Sequence, residues 1–270
     1  MLVIRKRDLA GSARETPFGA GARALIYLTR DEGTGFALAT VESDEPIETG
    51  PLNYPHHVKG NYVLEGTGRI TREDGQTWPL EPGSFYVVGP DDRYSIAFEG
   101  PWTTFSMFTP ALILEKGADG AFAASGPLPE GWGNGGRTMF VRGPRDYVRT
   151  ELSTGSSGVH RPLLAADGIG LSLSDLTTKP GLGIDLWYRH HVEANYLVEG
   201  SAEVLDKATG KTHALEPGDL FVIGPKDKHR VSNSNGVRWL SVFNPPLVGT
   251  ERYDDLGGYP PGGAVPEAWV

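Results

Sequence analysis

One phrase occurs twice in this chain. "HHVKGNYVLEG" fills residues 56–66 and "HHVEANYLVEG" fills residues 190–200, 134 positions further on. Three other pairs keep the register at an offset of 135: "RDEGTGFAL" (30–38) with "AADGIGLSL" (165–173), "LEPGSFYVVGPDDRY" (80–94) with "LEPGDLFVIGPKDKH" (215–229), and "FSMFTP" (105–110) with "LSVFNP" (240–245). Chance or low complexity does not hold register for so long, so the chain is two copies of one unit of roughly 110 residues. The copies are expected at 1–111 and 138–270. Residues 112–137, crowded with Gly, Ala and Pro, read as a linker or draped connection and not as core, and 254–270 are similarly poor in regular structure.

Within each copy, short runs rich in Val, Ile, Tyr, Phe and Trp alternate with polar residues, and "EDGQ", "EPG", "GPDD" and "ATGK" supply the turns between them. No stretch keeps helical spacing beyond two turns, so the fold class is all-β, each copy a small jelly-roll barrel. A net charge of −9 without a basic stripe argues against nucleic acid as a partner. Cysteine is absent, which removes disulfides and thiolate metal sites and fits a reducing compartment. "MLVIRKRDLAGS" lacks the apolar core of a signal peptide. No apolar run approaches the ~18 residues of a membrane span. A cytoplasmic protein without membrane partners is expected.

Alternate residues of a strand share a face. His191, Glu193 and Asn195 therefore point one way, and "PGDLFVIGPKDKHRVSN" reads as a strand, a Gly-Pro turn and a returning strand that begins at His229. Two imidazoles and a carboxylate converging inside a barrel suit a divalent metal: Fe(II), Zn or Mn. Paired histidines at a strand start are, on their own, more often surface or hydrogen-bonded residues than ligands. His160 and His213 have no comparable setting.

"HHVEANYLVEG" followed by "PGDLFVIGPKDKH" resembles the two motifs of the cupin superfamily, small jelly-roll barrels that often bind a metal. That resemblance sets Glu193 at the first motif's glutamate and His229 at the second motif's histidine. The superfamily's His-x-His pair is unmatched, since Trp187, Tyr188 and Arg189 stand there. "YRHHVEANYLVEG", "LSVFNPPLVGTERYDDLGGYP" (240–260), "DGIG" and, in the first copy, "RKRDLAGSARET…LTRDEGTGFALATVES" resemble ectoine synthase more narrowly. The resemblance implies an iron-dependent lyase that closes N-γ-acetyl-diaminobutyrate into a cyclic amidine with loss of water. It also implies single-cupin chains paired head to tail, so this chain is expected to be two barrels packed as an internal pseudo-dimer, possible as a monomer.

Carried over by position, Glu193 and His229 fall on family metal ligands, and Tyr188, Phe243, Glu251 and Arg161 on residues that shape the substrate pocket. Phe221 stands at the family's tyrosine ligand, Tyr253 at its tail histidine, Ser241 at its pocket cysteine, and Asn195 at an apolar position. His191 is the candidate to replace the missing ligand. A metal would polarise an amide oxygen under attack by an internal amine. Glu251 is the acid/base candidate beside Tyr188, because a carboxyl in an apolar barrel titrates nearer neutrality. Arg161 would hold a substrate carboxylate, with a surface salt bridge as the equal alternative; Asn195, Phe221, Ser241 and Phe243 would line the substrate. The substrate class is a small amino-acid derivative. The alternatives are a two-barrel hydrolase of the ureidoglycine aminohydrolase type and a non-catalytic ligand-binding cupin. In the first copy Lys59 answers Glu193 and Tyr94 answers His229, while Tyr86, His56 and His57 remain. That copy is expected to bind no metal and to serve as a structural partner, or else to hold an anionic ligand at Lys59.

Overall fold

The computed structural model describes residues 1–19, 21–118, 120–150 and 156–270, with the backbone alone at 156 and 157. The chain is almost wholly β, in two compact units. The first barrel is Asp8–Asp146; the second joins Met1–Arg7 to Tyr147–Val270.

The first barrel packs two antiparallel sheets. The larger runs in the order Phe140–Arg142, Phe85–Val88, Val58–Glu65, Trp102–Thr109, Ala37–Ser43, Ala22–Leu28, Glu15–Phe18. The smaller runs Ile47–Glu48, Tyr94–Phe98, Gly68–Arg72, Thr77–Leu80. Alternation assigns one face of each strand to the interior, so Val41, Val63, Tyr86, Val88 and Trp102 of the larger sheet meet Ile47, Ile70, Leu80, Tyr94 and Phe98 of the smaller in one core. These are the jelly-roll barrels that the turn spacing and alternation predict.

In the second barrel the strands run longer. Val192–Asp206 and His229–Asn244 pair along most of their length and bend at register shifts between Leu197 and Glu199 and between Gly200 and Ala202. Bulges of this kind let one strand turn a barrel corner without a break. The first barrel makes the same corners with separate strands, Val58–Glu65 then Gly68–Arg72, and Tyr94–Phe98 then Trp102–Thr109.

The unit boundaries differ from those the repeat suggests. Leu2–Ile4 pairs with Leu220–Ile223 as an edge strand of the second barrel, and Phe140–Arg142 pairs with Phe85–Val88 in the first. Each barrel thus takes an edge strand from the head of the other repeat. Arg5 fastens the exchanged strand by a 2.6 Å ion pair with Asp219, an interaction between half-buried and buried groups.

The segment expected as a linker is also part of the first barrel. Leu112 is buried with Phe108 and Ala37, a hairpin of Leu112–Lys116 and Phe122–Ala124 follows, and Trp132 is buried. A Cβ on Gly89 would lie 2.6 Å from the Trp132 ring, and one on Gly224 would lie 2.5 Å from Trp269. Indole rings cover the same Gly-Pro turn in both barrels, which needs glycine there for the close approach. "PEGW" (129–132) and "PEAW" (266–269) are therefore the matching ends of the two repeats.

Candidate active site

The second barrel holds a partly open cavity of about 60 Å³, several times the roughly 10–15 Å³ that one water requires. Glu193, Asn195, Phe221, His229, Tyr188 and Tyr253 line it with Trp239 and aliphatic side chains. Alternation along Val192–Asp206 brings Glu193 and Asn195 to the same face, opposite Phe243 and Ser241 of the neighbouring strand.

Glu193 is 4% exposed, and burial among apolar side chains pushes its carboxyl up to about 8, against the opposing pull of Asn195 and Ser241 beside it. Its neutral acid form is thereby favoured near neutral pH. The Ser241 hydroxyl donates to Asn195 Oδ1 at 2.5 Å, and Asn195 Nδ2 has no aligned hydrogen-bond acceptor.

His229 is fully buried, which lowers its pKa, and its ring is neutral. Nδ1 lies 3.0 Å from the Asp227 carbonyl. A carbonyl can only accept, so Nδ1 carries the proton and Nε2 presents a lone pair. That Nε2 is buried and unpartnered. The turn beneath it is fixed by Asp227, which accepts from Gly224 N at 2.9 Å and pairs at 2.6 Å with the Met1 ammonium.

Tyr188 and Tyr253 share a 2.9 Å hydrogen bond between their hydroxyls, and Tyr253 stacks on Tyr259 at 4.7 Å. Burial raises the Tyr188 and Tyr253 pKa values well above the ordinary tyrosine range, so both are neutral hydroxyls. Phe243 packs 5.6 Å from Tyr188 and 5.8 Å from Tyr259. Periodicity carries no signal for Tyr259, which sits in the irregular tail. It does carry one for Trp239, two residues before Ser241 on the same face.

Five expected residues, Arg161, His191, Ser241, Phe243 and Glu251, stand outside the cavity lining. His191 precedes the strand by one residue and packs edge-on against Phe243 and Tyr259 at 6.0 and 6.4 Å; it does not line the cavity. Burial holds its pKa down at about 4. Glu251 accepts from the backbone N–H groups of Val248 and Gly249 and lies 3.8 Å from Arg161 Nη1, bracing the "PPLVG" loop outside the cavity wall. Arg161 is no surface residue: it is 3% exposed, and Nη1 has no hydrogen-bond partner.

Of His, Cys, Asp and Glu, the cavity wall carries Glu193 and His229; the Tyr188 and Tyr253 hydroxyls and the Asn195 amide stand in the same wall, and Phe221 contributes no donor. Among the described residues, no group of three His, Cys, Asp or Glu gathers to hold a metal. The expected set of His191, Glu193 and His229 is therefore not assembled.

Two jelly-roll barrels in tandem, with inward polar residues on adjacent long strands, define a cupin of the two-barrel kind. The fold matches an oxalate decarboxylase of Lactobacillus farciminis in its formate complex (TM-score 0.66, 15% identity, 92% of this chain and 87% of that one). It also matches a putative glyoxylate-induced protein of Pseudomonas aeruginosa (TM-score 0.66, 17% identity, 89% and 87%). At sequence level the ectoine synthase family model matches twice, over residues 1–125 and 139–262. L-ectoine synthase of Saccharopolyspora erythraea is 43% identical over 124 residues, 45% of this chain and 92% of that protein. The enzyme of the same name from Oceanobacillus iheyensis is 39% identical over 120 residues, 44% and 91%. The chain belongs to the ectoine synthase family, a family of hydro-lyases, and carries two copies of the family's unit.

Proposed function

We propose that the cavity of the second barrel closes a small N-acylated diamino acid into a cyclic amidine with loss of water. The observation that carries this reading is the placement of a buried carboxyl, Glu193, and an imidazole lone pair, His229 Nε2, in the wall of one cavity. The substrate's free amine attacks its own amide carbon. His229 takes one proton from that nitrogen while Glu193 gives one to the carbonyl oxygen. The imidazolium then returns its proton to the departing hydroxyl, which leaves as water, and the second N–H proton restores Glu193 as the C=N bond forms. Both residues end as they began.

Around these two, Asn195 Nδ2, beside the Glu193 carboxyl, can turn an N–H to the oxygen as it gains charge, and the Tyr188–Tyr253 pair excludes water from one side. The buried Arg161, which stands outside the cavity lining with Nη1 3.8 Å from Glu251, would hold the substrate carboxylate by exchanging that partner. The test is incubation with N-γ-acetyl-diaminobutyrate: the expected product is the cyclic amidine, one water lighter. No product from this substrate or from its N-acyl homologues, with Fe(II), Zn(II) or no metal added, would refute the reading.

A further inference from the structure

The interior of the first barrel holds a cation where the second holds an acid. Lys59 is 4% exposed, and among the described residues its polar partner is the Tyr54 hydroxyl at 3.2 Å. The rings of Tyr54, Phe108 and Phe18 surround the ammonium at 4.5, 5.2 and 5.8 Å. Among the described residues no carboxylate pairs with it. Removing an ammonium from water without a counter-charge is costly, and three rings recover part of that cost only.

The groups that share this interior are donors or unpartnered as well. Asn61, 1% exposed and two residues along the same strand face, accepts from Ser106 at 2.9 Å and leaves Nδ2 without an acceptor. His57, 2% exposed and edge-on to Phe108, has an unpartnered Nε2. Tyr86 is the cross-strand neighbour of Asn61, and Tyr94 lies 6.5 Å from Tyr86. Both phenols are buried and protonated, with pKa values raised by desolvation and then by Tyr54. The inventory is one positive charge and several N–H and O–H groups, and among the described residues no carboxylate pairs with the ammonium.

We infer that the first barrel binds a small monocarboxylate, its oxygens received by Lys59 Nζ and Asn61 Nδ2. One ammonium balances one negative charge. His57 is neutral because burial lowers its pKa to about 4, so no second cation is at hand for a dianion such as phosphate. The site is separate from the cavity of Glu193 and His229 and does not rest on their chemistry.

Calorimetric titration of the full chain with sodium acetate, at ionic strength held by chloride, tests this. One saturable site per chain is expected, weakened about 30-fold or more in Lys59→Met, as for truncation of one partner of a buried charge pair. Asn61→Leu keeps the charge and is expected to weaken binding less, by about tenfold; it serves also if Lys59→Met fails to fold. Glu193→Gln should leave the acetate site intact. Absence of a saturable site in the wild type would overturn the inference. So would acetate binding that survives Lys59→Met, or that disappears with Glu193→Gln instead, or inorganic phosphate bound as tightly as acetate.

Discussion

The two barrels are built on one pattern and differ at the centre of it. Val58–Glu65 and Val192–Asp206 occupy matching places, and both carry an inward Asn whose side-chain oxygen accepts from a serine on the adjacent strand, Ser106 or Ser241. Two residues earlier stands Lys59 in one and Glu193 in the other. Tyr86 answers Phe221, and Tyr94 answers His229, across the same comparison. A barrel core tolerates an isolated charge or acid only where its surroundings are adapted, and each interior is adapted differently. Aromatic rings line Lys59, whereas Glu193 is left uncharged by burial. The lesson is that a duplicated frame preserves the polar girder and frees the neighbouring position to change chemistry.

The sharpest way to break this comparison is turnover. Glu193→Gln keeps the shape of the side chain and removes the transferable proton, so kcat for cyclisation should fall by about 10²–10⁴. Near-normal turnover in that variant would place the chemistry outside the second cavity.

The next effect is in stability against pH. Glu193 titrates near 8 in the folded chain, above its ordinary value of 4.5, so the folded state binds the extra proton between those values. Stability from this group is full below about pH 4.5 and is lost as pH rises toward 8, by on the order of 5 kcal/mol at most. Denaturant titrations across that window should show Glu193→Gln gaining on the wild type as pH rises. A constant difference would mean that Glu193 is ionised in the folded protein.

Metal content sharpens the contrast in donors. Phe221→Tyr supplies a further oxygen beside Glu193 and His229 and should raise bound iron toward one per chain by elemental analysis, above the wild-type level and dependent on Glu193. Lys59→Glu combined with Tyr94→His should add a second equivalent, in the first barrel. If neither changes the metal content, the two interiors differ by more than their ligands.

The smallest effect is expected at Lys59. Replacing an unpaired buried ammonium by the similar volume of Met is near neutral or stabilising, by about 1 kcal/mol. A loss of several kcal/mol on thermal or denaturant unfolding would show that the aromatic cage holds the first barrel together.

Much of this architecture is legible in the residues alone. The repeat, the alternation and the turn residues dictate two β barrels, and alternation together with the Gly-Pro turn brings Glu193, Asn195 and His229 into one cavity. His191 obeys the same alternation yet lies just outside the strand, where Phe243 and Tyr259 take it up. Periodicity has no information on where a strand ends within a residue. Glu251 sits in a loop whose backbone N–H groups claim its carboxylate, a contact that depends on the fold of "PPLVG" and not on residue type. The matching heads "MLVIRKRD" (1–8) and "MFVRGPRD" (139–146) stand 138 apart, so they escape a comparison made at 135. The linker reading fails for a related reason: Gly and Pro crowd residues 112–137, but Leu112 and Trp132 are large apolar groups with a core within reach.

The traded edge strands mean that this duplication is not modular. A scission at residue 137 would leave a first fragment holding Leu2–Ile4, whose sheet is gone, and exposing Phe85–Val88, whose neighbour is gone; the second fragment would have the mirror-image defect. Bare strand edges of that kind invite aggregation. Mixed together, the two fragments should rescue each other in trans, while either one alone could complete itself only by recruiting another chain. Joining the repeats covalently turns that recruitment into an event within one molecule, set by tether length and independent of how dilute the protein is.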